Sequence, residues 1–389
     1  MAETKRKSKR AKSIKKDKKL NFNFSIQGAD IFFLAIVLAL TAYGLVMVYS
    51  ASAPSAFYVH NDSTHFFKSQ ALWSLVGIGA MLFVASVDFQ LIKKFALPIY
   101  GISMLLLVAV LAIGKTYNGA KRWLDLGFTT FQPSEIAKIA VVIMCAVVLS
   151  KIDYIDVKET MPNLLSVGII FGIYAVLLIF QPHLSAIIIV AGTLGVMMLV
   201  AGIPLRVFTP IAALGVAAIA VLSIVSPYRM ERMMSFTDPF KYKMDEGYQA
   251  VQSLYAIGSG GFSGLGLGRS RQKYLYIPEP QNDFIYSIIC EELGFLGAML
   301  VIVLFVMLLW RAVKIAMTAP DRFSMILVCG LISLTIVQVI LNIGVATSSI
   351  PPTGIPLPFF SAGGTSFVFQ MISMGIILNI SKQTKITIE

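Results

Sequence analysis

Charge is scarce in this sequence. Asp, Glu, Lys and Arg make up 13% of its 389 residues, apolar residues make up 57%, and the mean hydropathy is +0.79. No soluble fold needs that much apolar surface, whereas a stack of membrane helices does. Cysteine is equally sparse. Cys145, Cys290 and Cys329 all lie inside apolar runs, which excludes a disulfide framework and a C-x-x-C metal pattern. His60, His65 and His183 are too scattered to form a metal site. There is no G-x-S-x-G stretch or nucleophile–histidine pattern, and no internal repeat is visible. The glycines of "GSGGFSGLGLG" lack the βαβ setting that a dinucleotide fingerprint requires.

What the chain does have is apolar runs of spanning length. They lie near 30–51, 71–88, 96–113, 134–150, 163–180, 183–202, 207–226, 284–310, 323–345 and 366–380. They predict an all-α polytopic membrane protein of ten transmembrane helices. Ten crossings put both termini on one side, and the short loops on that side carry Lys93, Lys94, Lys151, Arg206, Arg311, Lys314 and Lys382, which marks it as cytoplasmic. Residues 1–20 hold ten Lys or Arg. Next to a span, such a tail is expected to meet anionic lipid at the cytoplasmic surface rather than nucleic acid. The first apolar run is too long for a cleaved signal and is expected to stay as an anchor. The organisation is therefore a basic tail over 1–27, a membrane domain over 28–382 and a short cytoplasmic tail over 383–389. A large extracellular loop, 227–283, falls between spans 7 and 8.

Four segments carry chemistry, and this topology places all of them outside. In "NGAKRWLDLGFTTFQPSEIAK", Pro133 stands where a helix begins, with Gln132 before it and Glu135 in its first turn. Glu135 and Lys138 are three apart and share a helix face. They form either a self-balancing ion pair or one wall of a polar cavity below Lys121 and Arg122. In the loop, glycines that let backbone N–H groups approach a phosphate are followed by Arg269, Arg271 and Lys273. The plainer alternative is a flexible loop with solvated charges.

"PEPQNDFIYSIICEELG" places Asp283 at the mouth of span 8, as an N-cap or as a reactive acid. Glu291 lies roughly 80° around the helix from Asp283, Glu292 is nearly opposite, and both are about 12–14 Å deeper. They are expected to bind neighbouring helices or polar backbone. Finally, Pro351, Pro352, Pro356 and Pro358 with Gly354, Gly363 and Gly364 forbid a regular helix. Irregular backbone this apolar is tolerated at membrane depth only inside protein or beside water.

Taken together, "NGAKRWLDLG…FQPSEIAK", "QPHLS", "GYQAVQSLYAIGSGGFSGLGLG", "IPEPQNDFIYSIICEELGFLG" and "PPTGIPLPFFSAGGTS" resemble the SEDS family of bacterial membrane proteins, which contains FtsW, RodA and SpoVE. The matching segments run in family order over residues 28–382. "GIILNIS" and the basic tail are closer to the FtsW and SpoVE branches than to RodA. The resemblance implies a peptidoglycan glycosyltransferase, at work in cell division, that polymerises lipid II into glycan strands on the outer face of the cytoplasmic membrane. It also implies a class B penicillin-binding protein (a transpeptidase) and other division proteins as partners. Asp283 matches the family's essential aspartate, and Arg122, Gln132, Glu135 and Lys138 match its polar cavity residues. Two positions depart from the common pattern: Ala362 stands where many relatives have Tyr, and His183 where many have Asp.

The chemistry expected of Asp283 is that of a general base. As an ionised carboxylate it would take the proton of an acceptor hydroxyl, which attacks the donor sugar with inversion. Arg122, Lys138, Arg269 and Lys273 are candidate cations for the leaving pyrophosphate, and a divalent ion, Mg or Mn, could assist them. Two other functions fit parts of the sequence, a lipid II flippase and a scaffold that recruits the transpeptidase. A flippase needs polar groups along its whole path, and a scaffold has no need of Asp283.

Overall fold

The computed structural model describes residues 28–383, apart from 118, 119, 126, 128, 129, 153–156, 225, 226, 243 and 246. The chain is mostly helical. The helices are α1 (Ile31–His60), α2 (His65–Ser86), α3 (Phe89–Lys94), α4 (Ala96–Ile113), α5 (Pro133–Leu149), α6 (Val157–Phe180), α7 (Leu184–Val200), α8 (Leu205–Ile224), α9 (Pro227–Thr237), α10 (Tyr248–Gly260), α11 (Ile285–Met317), α12 (Arg322–Ala346) and α13 (Gly364–Ser381). Seven of them contain a stretch long and apolar enough to cross a membrane: α1, α2, α4, α6, α11, α12 and α13. The sequence predicts an all-α protein, and a small sheet corrects that expectation. β1 (Lys115–Tyr117), β2 (Ala120–Asp125) and β3 (Thr130–Phe131) form a small antiparallel sheet, in the order β1-β2-β3, just ahead of α5. Hairpins this short carry too little apolar alternation to stand out among the surrounding apolar runs.

Local chemistry sets the helix ends. The carboxylate of Asp30 accepts from Phe33 N at 2.9 Å and caps α1, and Asp321 does the same for α12 through Ser324 N at 2.7 Å. Pro133 opens α5 behind an extended Gln132, with Glu135 in the first turn, as the sequence leads one to expect. Three helices form the middle of the bundle: the short α5, of whose 17 residues 13 are buried, and, among the seven long apolar helices, α12 and α13. About two thirds of the apolar window of α12 and 61% of that of α13 are buried, against 28–44% for the other five. The outer helices turn Leu72, Leu105 and Leu165 outward, which suits contact with lipid.

Two irregular stretches shape one end of the bundle. α11 breaks at Gly294 (φ 62°, ψ −159°). The break frees backbone groups that the segment after α10 then satisfies. Leu265 N and Gly266 N donate to the carbonyls of Glu291 and Glu292 at 3.0 and 2.9 Å, and Phe295 N donates to Gly261 O at 2.9 Å. The 227–283 region is therefore no simple loop: it contains α9 and α10 and returns into the bundle. The proline-rich stretch between α12 and α13 is enclosed in protein, with Ile355, Leu357, Phe359 and Phe360 all buried. At the opposite end, Asp30 Oδ2 accepts from Arg311 Nε at 2.6 Å, and Ser381 Oγ accepts from Asp30 N at 3.1 Å, tying α1, α11 and α13 together.

Candidate functional site

Asp283 lies just ahead of α11, whose N-cap position is Phe284 with no side-chain cap. The carboxylate therefore does not cap the helix, and the proline-rich stretch packs against it. Gly354 has φ +63°, and a Cβ there would lie 3.4 Å from Asp283 Oδ2. Only glycine allows this approach without strain. Hydrogen bonds fix both strands of the contact. Asn342 Nδ2 donates to the carbonyls of Asp283 (2.8 Å) and Ile355 (2.7 Å), Ser361 Oγ donates to Asn282 O (2.6 Å), and Ala362 N donates to Gln281 O (2.9 Å). Arg232 of α9 reaches the same spot and donates to Pro352 O at 3.1 Å. Burial pushes Asp283 up to about 6; Glu279 adds to the rise and Arg232 opposes it.

A second cluster surrounds the start of α5. Lys138 Nζ is 2.9 Å from Glu135 Oε1, and the pair borders a small cleft that Ile139, Leu334, Gln338, Phe369, Gln370 and Ser373 also line. The ion pair expected as one alternative is present, at the edge of a cleft of mixed polarity that neither Lys121 nor Arg122 lines. Gln132 is half-buried at the N-cap position of α5. Arg122 of β2 donates to the carbonyls of Gln181 and Pro182, which shapes the turn before α7. The next residue, His183, is half-buried, with Arg122 and Lys138 nearby. That turn connects to the first cluster, because Ser185 Oγ donates to Thr353 O at 2.7 Å, one residue from Gly354.

Several buried polar atoms on these segments have no hydrogen-bond partner: Ser134 Oγ, His183 Nδ1, Gln281 Oε1, Asn342 Oδ1 and Thr353 Oγ1. Leaving one unsatisfied costs about 1–3 kcal/mol. Others lie elsewhere, at Ser52, Gln272 and Ser324 among the described residues, and ordered water commonly satisfies groups of this kind.

The loop cations separate. Arg269 is exposed. Lys273 is buried, with its ammonium 2.7 Å from Glu292 Oε1, so it neutralises a carboxylate rather than facing a ligand. Glu292 also accepts from Gly268 N (3.0 Å), Ser270 N (3.2 Å) and the hydroxyl of Ser50, while Glu291 accepts from Arg271 N (2.9 Å), Gln272 N (3.3 Å) and the hydroxyl of Ser270. The two glutamates bind backbone and a neighbouring helix, as their helical angles lead one to expect. Among the described residues no three His, Cys, Asp or Glu side chains converge to hold a metal. Arg232 and Glu279 are charged neighbours of Asp283 that spacing alone does not single out. Nothing local distinguishes Arg232 from the other loop cations.

A family model described as cell cycle protein, covering FtsW, RodA and SpoVE, matches residues 30–386. Stage V sporulation protein E of Bacillus subtilis (strain 168) is 39% identical over 358 residues, covering 92% of this chain and 98% of that one. The probable peptidoglycan glycosyltransferase FtsW of Geobacter sp. (strain M18) is 35% identical over 362 residues, covering 92% and 98%. Among solved structures, a chain of a peptidoglycan synthase complex that coordinates polymerization and crosslinking superposes with a TM-score of 0.76 at 26% identity, covering 91% of this chain and 98% of that one. The rod shape determining protein RodA of Thermus thermophilus gives 0.69 at 25% identity, covering 92% and 98%.

Proposed function

The chain belongs to the FtsW/RodA/SpoVE family of cell cycle proteins, and on that footing we propose that it is a peptidoglycan glycosyltransferase. It polymerises lipid II at the outer face of the bacterial cytoplasmic membrane during cell division. In this reading the seven long apolar helices are joined by α5, α7 and α8 to make ten crossings. Both termini are cytoplasmic, in keeping with the basic short loops. The basic tail meets anionic lipid. A class B penicillin-binding protein crosslinks the product. What supports such a partner is the likeness to a complex of polymerization and crosslinking.

The observation that carries the proposal is Asp283, half-buried against Gly354 with its pKa pushed up to about 6. That value leaves roughly nine carboxylates in ten ionised at pH 7, yet makes a stronger base than a solvated aspartate. The acceptor sugar hydroxyl gives its proton to Asp283 as its oxygen bonds to the anomeric carbon of the donor. The bond from that carbon to the diphosphate breaks, and its electron pair leaves on the diphosphate oxygen. Attack from the opposite face inverts the centre and gives a β-linkage. Arg122 and Lys138 hold the charge that develops on the leaving group. A lone carboxylate suits this route better than the paired carboxylates of retaining glycosidases.

A flippase would need a polar route through the whole bundle. The chemistry-bearing segments instead gather around Asp283, while the end away from it carries the Asp30–Arg311 pair that ties α1 to α11, and this favours polymerisation. The test is glycan formation from purified lipid II, with and without the transpeptidase. Asp283→Asn keeps the shape and removes the charge, and turnover is expected to fall by about 10²–10⁴-fold. Polymerisation by that variant at the normal rate refutes the base.

A further inference from the structure

We propose that the seam between the start of α1 and the end of α11 is a docking site for an anionic phospholipid of the cytoplasmic leaflet, in which the Lys314 ammonium meets the phosphate and the Phe32 and Trp310 rings meet the chains. The site lies at the far end of α11 from Asp283, and the glycosyltransferase reading plays no part in it. Only the choice of leaflet follows from the proposed topology.

Four side chains build the seam. Phe32 and Trp310 meet edge to face, with ring centroids 6.2 Å apart and planes at 85°. Both rings stay nearly half exposed, at 42% and 48%, and exposed Ile31 and Met317 flank them. Lys314, one turn after Trp310, holds its Nζ 4.1 Å from the centroid of the Trp310 ring, and Arg311 lies over Phe32 at 5.7 Å. The two cations differ in what is left to them. Arg311 Nε is 2.6 Å from Asp30 Oδ2, so its charge is met. Lys314 pairs with no carboxylate among the described residues, and the indole N–H of Trp310 donates to no group among them. An unpaired ammonium above an exposed aromatic floor fits an amphiphile with a phosphate head and apolar tails. A soluble anion has no use for the floor, and a zwitterionic lipid brings its own cation and gains less from Lys314. Residues 1–20, with ten Lys or Arg, lead into α1 at Ile31, so the same end of the fold attracts anionic headgroups. Lys93 offers a contrast: it lies 5.2 Å over the Phe323 ring, but that ring is buried and presents no floor.

The experiment uses Trp310 as its own reporter. Trp73→Phe with Trp123→Phe leaves it the single tryptophan of the full-length chain. That chain is reconstituted in phosphatidylcholine vesicles in which about one fifth of the lipid is phosphatidylglycerol with brominated chains, which quench indole fluorescence on contact. Quenching is expected to show phosphatidylglycerol favoured about fivefold over phosphatidylcholine beside Trp310. Lys314→Gln is expected to abolish that preference and Lys93→Gln to keep it. Quenching in simple proportion to the lipid mixture overturns the proposal, because a lysine that merely reaches the headgroup plane gives that result. An undiminished preference in Lys314→Gln overturns it as well. So does an equal loss in Lys93→Gln, since bulk attraction by the whole basic end then accounts for the lipid. Thermal melting checks the fold of each variant. If the chain with one tryptophan does not fold, melting of the protein with all its tryptophans decides. Dioctanoyl phosphatidylglycerol is expected to raise Tm more than dioctanoyl phosphatidylcholine in wild type but not in Lys314→Gln, and an equal rise from both lipids in wild type overturns the site. No readout involves turnover, so a protein that selects the lipid but forms no glycan overturns the polymerase reading alone. Normal polymerisation without lipid selection overturns this inference alone.

Discussion

Asp283 has two charged neighbours that act in opposite directions, with Glu279 raising its pKa and Arg232 lowering it, on top of a larger rise from burial. Folding therefore favours the protonated acid. Its stabilising contribution is fully present below the unfolded value and is lost as pH rises through about 6, the range in which the catalytic anion appears. Under the proposed mechanism, kcat/KM should show an acidic limb near pH 6. Arg232→Gln should move that limb to higher pH and lower activity at pH 6 by a few-fold, whereas Glu279→Gln should move it lower. A pair of pH–rate profiles checks both, and limbs that shift together would exclude this electrostatic account. Glu135 and Lys138 were legible as neighbours because helical spacing sets which residues share a face. Arg232 was not legible as a partner of Asp283, since 51 positions of chain separate them and only the packing of α9 closes the gap.

At the scale of elements, two broken stretches set the acid's position. The first is the break in α11 at Gly294, where the segment after α10 docks through the glutamate carbonyls and carboxylates. Glu292→Gln leaves the buried Lys273 ammonium without its counter-ion, which should cost about 3–5 kcal/mol. The double change Glu292→Gln with Lys273→Met should recover part of that loss in thermal unfolding. The second is the proline-rich stretch at Gly354. An alanine there must hold φ +63° and place its methyl group 3.4 Å from the carboxylate oxygen. About 1–2 kcal/mol of backbone strain is expected, together with a fall in kcat of about tenfold or more from a displaced base. Unchanged kcat in Gly354→Ala would break the link between this stretch and the acid. The prolines and glycines announced an irregular segment, but not which side chain it would press against.

For the whole molecule, the proposed topology puts Glu279 outside and Lys94 inside. A cysteine at 279 should react with an impermeant maleimide added to intact cells, and one at 94 only after lysis, in a background lacking the three native cysteines. The reverse pattern would place the proposed active site in the cytoplasm and end the reading. The central position of α12 and α13 follows from their burial, with more exposed long helices around them. That layering was only partly visible beforehand, because an apolar helix looks much the same whether it touches lipid or protein.

Composition and spacing alone determined that this chain is a stack of apolar helices with its chemistry-bearing polar residues in a few connecting segments. Hydrophobic length and helical period are local properties, and a single sequence displays them directly. Tertiary structure decided which charges meet. It gave Lys273 to Glu292, brought Arg232 and Gly354 to Asp283, and set His183 beside Arg122 and Lys138. Those pairings arise where distant segments fold back on one another, and the energy of a charge in a dry interior depends on neighbours that no local pattern names.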